Sequence, residues 1–329
     1  MASAPDTLPA GQDPPSHGRW TAGPLLGQGR LGRVFLAHDG TGRAAALRVV
    51  HASLARDQEF RARFAREVRA LGAVRGRRVA ALVDADPHGA VPWLATEYVP
   101  GPTLATWVRD LGGPLGTPDL RVLANALAGA LNDIHRAGLV HGGLRPSNVL
   151  LATGGPRVVD FGVAGCAERA GDTGQAGCGA PAGLTEARGY TAPEVLASPR
   201  GETRPPSDVF SLGAVLAFAA AGRGPFDAAH YDSAGYDAAG YDARGEAADM
   251  ADVPEELRPL ITACLARHPT ARPAPRTVAR MAGLPLPGSR RRALTLAGTL
   301  TLTGTLLLAQ PAAVAGPLGG RWASRTGER

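Results

Sequence analysis

Three closely spaced glycines are the first residues along the chain whose type and spacing indicate chemistry. Gly27, Gly29 and Gly32 lie in the segment GQGRLGRV at 27–34, between two strand-like stretches. Their spacing also satisfies a dinucleotide-binding fingerprint, which requires a helix after the last glycine. Residues 33–37 instead alternate polar and apolar side chains, as a strand does. The segment therefore predicts a glycine-rich hairpin that can lie over phosphate groups, and a hairpin without ligand remains the alternative.

Four further short motifs follow in a fixed order in the second half of the chain. They are HGGLRPSN at 141–148, DFG at 160–162, APE at 192–194 and, in a strongly apolar stretch, Asp208. A helical pattern ends at Gly138, directly before the first of them. Each motif is weak alone, but their joint occurrence in this order is not expected by chance.

With these motifs the chain resembles the Ser/Thr protein kinase family, in particular its bacterial receptor-like branch, over residues 20–284. The resemblance implies an α+β, two-lobed protein-kinase-like fold. A small β-rich lobe with one helix would precede a larger helical lobe. The resemblance also implies ATP and Mg²⁺ as cofactors and protein hydroxyl groups as phosphate acceptors.

The resemblance assigns a nucleotide-binding role to residues of the small lobe and of the connection that follows it. The glycines would approach the phosphates, two apolar residues would line the adenine pocket, and the segment after residue 96 would offer backbone groups to adenine. A glutamate on the predicted helix would take the place of the family's ion-pairing glutamate. These residues are Gly27, Gly29, Gly32, Val34, Ala46, Arg48, Glu67, Glu97 and Val99.

The resemblance also assigns metal-binding and structural roles in the second half. Asn148 and Asp160 match the two metal ligands, and hard oxygen ligands suit Mg²⁺. Asp208 would hold the backbone of the catalytic loop. The other positions with structural roles are His141, Phe161, Glu194 and Arg272.

Three departures from the family pattern fall on the chemistry. The catalytic aspartate position is Gly143, so no side chain there can accept the proton of a substrate hydroxyl. The strand lysine is Arg48, a planar fork in place of a compact charge. The activation-segment threonine that supports the substrate is Ala187.

Together these departures predict a pseudokinase that binds nucleotide but transfers phosphate poorly. Two alternatives remain open. One is an active or weakly active Ser/Thr kinase, because all 35 basic residues are arginine and a lysine-to-arginine exchange can be compositional drift. The other is an interaction scaffold that folds without nucleotide.

The elements that position these motifs follow from hydrophobic periodicity. Short strands are predicted at 78–84, 93–99, 139–140, 149–150 and 158–159, and helices at 57–74, 117–138, 208–221, 255–266 and 276–281. This order predicts lobes at 20–99 and 100–284, after a disordered arm at 1–19. A Tyr-Asp repeat at 231–245 is predicted to be a surface insertion.

Composition narrows the classes of partner. The net charge is +6, but the arginines are scattered and only 5% of the residues are aromatic, which argues against nucleic acid as a partner. The 3 cysteines have no zinc-finger spacing and indicate a reducing, cytoplasmic setting for the domain.

The C-terminal region combines a basic linker with an apolar run. Residues 285–292 end in three arginines, and residues 293–318 are long enough to cross a bilayer. The pattern predicts a single membrane anchor followed by a short tail at 319–329. A loosely structured Ala/Leu-rich tail is the alternative.

Overall fold

A computed structural model describes residues 16–29, 31–161, 189–198, 203–224 and 250–283. Within these residues a β-sheet with one long helix forms the first lobe, and helices dominate the second. The predicted α+β, two-lobed fold is confirmed.

The first lobe is built on a six-stranded sheet. Neighbouring strands are antiparallel, and their order is β1-β2-β3-β4-β6-β5. The strands are β1 (Ser16–His17), β2 (Trp20–Gln28), β3 (Gly32–His38), β4 (Ala44–Val50), β5 (Leu82–Asp86) and β6 (Trp93–Glu97). The glycine-rich segment connects β2 to β3, so it is a hairpin, as the alternating pattern after Gly32 predicts.

Two helices follow β4, of which the second is long. They are α1 (Ala52–Ala55) and α2 (Gln58–Leu71). Asp57 caps α2 by accepting hydrogen bonds from the backbone amides of Glu59 (2.8 Å) and Phe60 (3.1 Å). Phe60, Phe64 and other apolar residues at helical spacing are fully buried on one face of α2.

The second lobe contains a short β-hairpin and the remaining helices. The strands are β7 (Val149–Ala152) and β8 (Gly155–Val158), and the helices are α3 (Leu104–Thr106), α4 (Thr117–Arg136), α5 (Pro193–Leu196), α6 (Pro205–Ala221), α7 (Arg258–Cys264) and α8 (Pro275–Met281). A π-helical turn at Trp107–Leu111 extends α3. Short 3₁₀ turns precede β7, α7 and α8.

Helices α4 and α6 form the centre of the second lobe. Leu120, Leu123 and Leu127 of α4 have no exposed surface. Helix α6 is buried from Ser207 to Ala220, which explains why its sequence is apolar all round. After α4, Gly138 has φ +76°, the left-handed conformation predicted for the end of that helix.

Some boundaries differ from the sequence expectation. Ser16 and His17 pair with β2, so the sheet includes residues assigned above to a disordered arm. The ring centroid of His17 lies 6.4 Å from that of Trp93, and this contact explains the added strand. Residues 139–140 form no strand, and the strand predicted at 78–84 is displaced to β5.

Three expectations concern the rest of the chain or its cysteines. The repeat at 231–245 and the run at 293–318 lie outside the described residues. Among the residues that are described, no helix is long and apolar enough to cross a membrane. Cys264 is buried in the second lobe, and burial raises the pKa of its thiol to about 12.

Candidate functional site

A cleft of about 1000 Å³ lies between the two lobes. Its lining brings together many of the residues selected from the sequence: Gly27, Gly29, Val34, Ala46, Arg48, Glu97, Val99, Gly143, Asn148, Asp160 and Asp208. These residues come from the sheet, the connection between the lobes, the catalytic-loop segment, the β7–β8 hairpin and α6. A single cavity therefore joins the glycine-rich loop to the motifs of the second lobe.

The glycine-rich loop forms the roof of the cleft. Gly29 and Gly32 exchange backbone hydrogen bonds of 3.0 and 3.3 Å that close the tip. Nε2 of His51 lies 2.9 Å from the carbonyl oxygen of Gly29 and ties the loop to the end of β4. A Cβ atom on Gly29 would lie 4.0 Å from Nη1 of Arg48, so the loop passes directly over this guanidinium.

Gly32 lies where the hairpin packs closely against β4. A Cβ atom at this position would lie 1.9 Å from the carbonyl oxygen of Val49, far inside van der Waals contact. Gly32 therefore permits β3 to approach β4, and it is not among the residues that line the cleft.

The wall beneath the roof is apolar. Val34 and Ala46 line it as expected, together with Leu94, Thr96 and Leu150, which the sequence reading did not select. Ala46 pairs with Thr96 across β4 and β6, and this register places both residues on the cleft. Leu150 lies on β7, two residues after Asn148. Because side chains alternate along a strand, this spacing could have indicated that Leu150 faces the same side as Asn148.

The connection between the lobes is held by the Glu97 side chain. Its carboxylate accepts hydrogen bonds from both terminal nitrogens of Arg157, at 2.6 and 3.3 Å. Nη2 of Arg157 also donates to the carbonyl of Val79 at 2.8 Å. The Glu97 amide donates to the Ala81 carbonyl at 2.8 Å. The connection is thereby fixed to β8 and to the segment before β5.

Arg48 makes the central ion pair of the cleft. Its Nη2 donates to Oδ1 of Asp160 in the second lobe. The Arg48 side chain is 8% exposed and that of Asp160 is 44% exposed. Because a buried guanidinium needs a charged or polar partner, this contact accounts for the position of Arg48 at the cleft floor.

The β7–β8 hairpin explains why Asn148 and Asp160 lie together. Asn148 directly precedes β7, and Asp160 follows β8 by two residues. The amide of Val159 donates to the Asn148 carbonyl at 3.0 Å, which closes this end of the hairpin. Asp160 has φ +60°, a strained conformation for a residue with a side chain, and strained residues of this kind cluster at functional sites.

Asp208 organises the catalytic-loop segment from below. It accepts hydrogen bonds from the backbone amides of His141 (2.8 Å) and Gly142 (2.9 Å). Nε2 of His135 on α4 lies 2.7 Å from Oδ2 of Asp208, the oxygen that also accepts from the His141 amide. The carboxylate is almost fully buried, and these donors stabilise its charge. The structural role expected for Asp208 thus has a geometric basis, and His135 is a partner that the sequence reading missed.

His141 is a core residue. It is fully buried, and its ring lies edge-on to that of Phe161 with centroids 6.5 Å apart. Within the described ranges neither ring nitrogen has a hydrogen-bond partner. Desolvation by burial lowers the pKa of His141, against the opposing effect of the nearby Asp208 charge.

The position of the missing aspartate lies open on the cleft. The carbonyl of Gly143 accepts a hydrogen bond from Nδ2 of Asn148 at 2.8 Å, so the loop backbone is held although the side chain is absent. Gly142, next to it, has φ +71°. The loop therefore keeps its support while it presents only backbone at the centre of the site.

Glu194 and Arg272 lie away from the cleft, where they join α5 to the segment before α8. Nη1 and Nη2 of Arg272 donate to the two carboxylate oxygens of Glu194, at 2.6 and 2.8 Å. The guanidinium of Arg272 also lies 5.1 Å from the ring centroid of Phe210.

Glu67 lies half-buried on α2, outside the cleft lining. Gly162, Ala187, Cys166 and Cys178 lie outside the described residues.

Comparison with known proteins decides the family. The protein kinase domain family matches residues 20–282. The chain belongs to the protein kinase family. Among bacterial members, it is 43% identical over 250 residues to the serine/threonine-protein kinase AfsK of Streptomyces coelicolor, covering 76% of this chain and 30% of that protein. It is 42% identical over 261 residues to the probable serine/threonine-protein kinase PkwA of Thermomonospora curvata, covering 79% of this chain and 33% of that protein.

The fold of these kinases is also found in solved structures. The kinase domain of Mycobacterium tuberculosis PknI matches with a TM-score of 0.61 and 23% identity, covering 86% of this chain and 99% of that one. This kinase chain spans about a third of the length of the curated relatives it matches. The resemblance to bacterial Ser/Thr kinases predicted from the motifs is confirmed.

Proposed function

We propose that this chain is a nucleotide-binding pseudokinase of the bacterial Ser/Thr kinase family, with impaired phosphate transfer. ATP would occupy the cleft, with its adenine between the glycine-rich loop and the apolar wall of Val34, Ala46 and Leu150. The Glu97 carbonyl and the Val99 amide would contact the adenine edge. The observation that supports the nucleotide half is the loop that passes over Arg48 at the inner end of the same cleft.

The phosphates would lie between the loop and the ionic groups of the floor. Arg48 and the exposed Arg145 supply positive charge there. Asn148 and Asp160 lie at the positions that the family pattern assigns to Mg²⁺, an ion that neutralises phosphate charge when bound in kinases. Two side chains do not complete the coordination of a hard cation, so the nucleotide phosphates would have to supply further ligands.

The carboxylates of the cleft support the loss of transfer. Among the described residues, those that line the cleft are Glu97, Asp160 and Asp208. Glu97 is paired with Arg157, Asp160 with Arg48, and Asp208 with His135 and two amides. None of them takes the place of a base at Gly143. Loss of a positioned base commonly lowers the rate by about 10²–10⁴-fold.

A two-part experiment tests this proposal on the full chain. We expect isothermal titration with ATP to show saturable binding, whereas transfer of the labelled γ-phosphate to the chain itself or to a generic protein substrate stays near background. The double variant Gly143→Asp/Arg48→Lys should raise transfer by about tenfold or more, since it restores a base and a compact charge.

The possible outcomes separate three functions. Robust transfer by the unchanged chain would identify an active kinase. Absence of nucleotide binding, in a chain whose circular dichroism shows that it is folded, would identify an interaction scaffold. Binding without transfer supports the pseudokinase.

A membrane anchor at 293–318 is a second part of the proposal. It rests on the apolar run and on the arginines at 290–292 before it. Membrane fractions should retain the full chain after a salt wash and release it with detergent. Recovery of the full chain in the supernatant without detergent would remove the anchor from the proposal.

A further inference from the structure

The ion pair between Arg48 and Asp160 bears on how phosphate charge is neutralised. Arg48 is buried at the inner end of the cleft, and its Nη2 donates to one oxygen of Asp160. The glycine-rich loop lies above the other terminal nitrogen of Arg48, Nη1. A Cβ atom on Gly29 would lie 4.0 Å from this nitrogen. The guanidinium is thus placed between a carboxylate on one side and the proposed phosphate region on the other.

Among the described residues, Arg48, Arg145 and Asp160 are charged side chains at this end of the cleft. Glu97 is paired with Arg157, and Asp208 contacts His135 and two backbone amides. An aspartate at position 143 would add a negative charge to this lining, and Gly143 does not. A polyanion is repelled less at such a site and depends less on a second cation.

An arginine side chain can contact a carboxylate and a phosphate at the same time. A guanidinium has five N–H donors in a rigid fork, so Arg48 can hold Asp160 with one nitrogen and a phosphate with another. A divalent cation at Asp160 would share that carboxylate with a buried positive group. Repulsion between the two cations lowers the gain from binding the metal ion.

We propose that this cleft binds nucleoside polyphosphates as free anions, because the Arg48 guanidinium occupies the carboxylate on which a divalent cation would depend. The inference rests on the proposed nucleotide site and specifies the form of nucleotide that the site takes. The ligand class is a nucleoside di- or triphosphate without its metal ion.

Titration of the full chain with ATP in two buffers tests the inference. One buffer contains EDTA and the other contains an excess of MgCl₂ at the same ionic strength. We expect the two dissociation constants to agree within about threefold. A dissociation constant that is about tenfold or more larger in EDTA than in MgCl₂ would overturn the inference and leave the proposed nucleotide site intact.

Two substitutions provide readouts that a generic anion site would not give. Asp160→Asn removes the carboxylate that competes for Arg48, so ATP should bind more tightly in EDTA, by about threefold or more. Gly143→Asp restores the missing negative charge, so binding in EDTA should weaken by about tenfold while Mg²⁺ recovers most of the loss. Weaker binding by Asp160→Asn in EDTA would contradict the inference.

Asp252→Asn is the matched control for both substitutions. Asp252 is an exposed carboxylate paired with Arg223, remote from the cleft lining, so its loss should not change either dissociation constant. Circular dichroism melting establishes that each variant is folded before titration. If a folded chain binds ATP in neither buffer, the proposed nucleotide site fails together with this inference.

Discussion

Gly142 adopts a backbone conformation that disfavours any side chain. Its φ is +71°, and a Cβ atom would lie 3.3 Å from Oγ1 of Thr203. We expect Gly142→Ala to lower the free energy of unfolding by about 1 kcal/mol, because an L-residue is strained in this region. Urea denaturation of the full chain measures the change.

Gly154→Ala is the control for this prediction. Gly154 has no positive φ, and a Cβ atom there would meet no atom within 4 Å. Its replacement should change stability by less than about 0.5 kcal/mol. Equal losses in the two variants would show that the Gly142 conformation carries no cost.

His141 makes the stability of the protein depend on pH. Burial holds its pKa below the ordinary value of 6.5, so the unfolded chain takes up a proton that the folded chain refuses. Stability should therefore fall as the pH drops below 6.5 toward the lowered pKa. We expect His141→Leu to reduce this acid-side loss by on the order of 1 kcal/mol between neutral pH and the acid side, as measured by urea denaturation across the pH range.

Leu144→Ala serves as a comparison that carries no titrating group. Leu144 is also buried in the catalytic-loop segment. Its truncation should lower stability at every pH by a similar amount, because only a cavity is introduced. A pH profile of His141→Leu that is parallel to that of the unchanged chain would contradict the role of the imidazole.

At the scale of single residues, the sequence predicted which residues lie near the cleft better than it predicted the contacts of their side chains. The motif order was enough to bring Asn148, Asp160 and Asp208 toward one cleft, because a hairpin and a buried helix present them there. The pairing of Arg48 with Asp160 joins residues 112 positions apart, and no local pattern encodes such a contact. The close packing that requires Gly32 depends likewise on the neighbouring strand.

At the scale of elements, one ion pair connects α5 to the segment before α8. Arg272 contacts both oxygens of Glu194 and donates to the carbonyls of Ala266, Pro206 and Arg267. Arg272→Met should destabilise the full chain by about 3–5 kcal/mol, since it leaves a carboxylate and several carbonyls without their donor. Chemical denaturation followed by circular dichroism gives the value.

An exposed pair provides the contrast for Arg272. Arg223 pairs with Asp252 at the surface, and Arg223→Met should cost less than about 1 kcal/mol. A loss for Arg272→Met that is no larger than for Arg223→Met would show that burial adds nothing to the Glu194 pair.

Periodicity predicted the long helices but not all of the short strands. Helices α2 and α4 follow clear apolar stripes, and their ends carry capping signals. Residues 139–140 form no strand because the Leu139 amide turns back to the Ile134 carbonyl, at 3.2 Å. The segment before β5 bonds instead to β8: the Ala80 amide donates to the Val158 carbonyl at 2.9 Å. Both outcomes depend on contacts that a short apolar run does not specify.

At the scale of the whole molecule, Arg157 links the lobes. It joins β8 to the Glu97 carboxylate and the Val79 carbonyl. We expect Arg157→Leu to loosen the connection, so that amide hydrogen exchange at residues 97–99 accelerates by about tenfold, because local opening costs less free energy. Hydrogen-exchange mass spectrometry of the full chain measures this rate.

A distant peptide is the internal reference for that exchange experiment. The buried residues of α6 lie in the centre of the second lobe, and their exchange should be unchanged in Arg157→Leu. Uniform acceleration in both peptides would indicate global destabilisation, and unchanged exchange at 97–99 would show that Arg157 does not restrain the connection.

The two-lobed architecture was the most predictable property of the molecule. A β-rich half followed by a helical half, with phosphate-loop glycines in the first and acidic motifs in the second, requires a cleft where the halves meet. The pairing of charged side chains inside that cleft was not predictable, because it joins residues from both lobes that are distant in the sequence. Composition gave only the overall excess of arginine.

The arginine on β4 also determines which covalent reagents can tag this protein. Nucleotide analogues that acylate a cleft amine have no target, because the sequence contains no lysine. Dicarbonyl reagents that condense with guanidinium groups are the suitable class. They would modify the exposed Arg145 readily and reach Arg48, which is 7% exposed, only slowly. Protection of Arg48 from such a reagent by bound ATP would therefore give a mass-spectrometric footprint of occupancy that amine chemistry cannot provide.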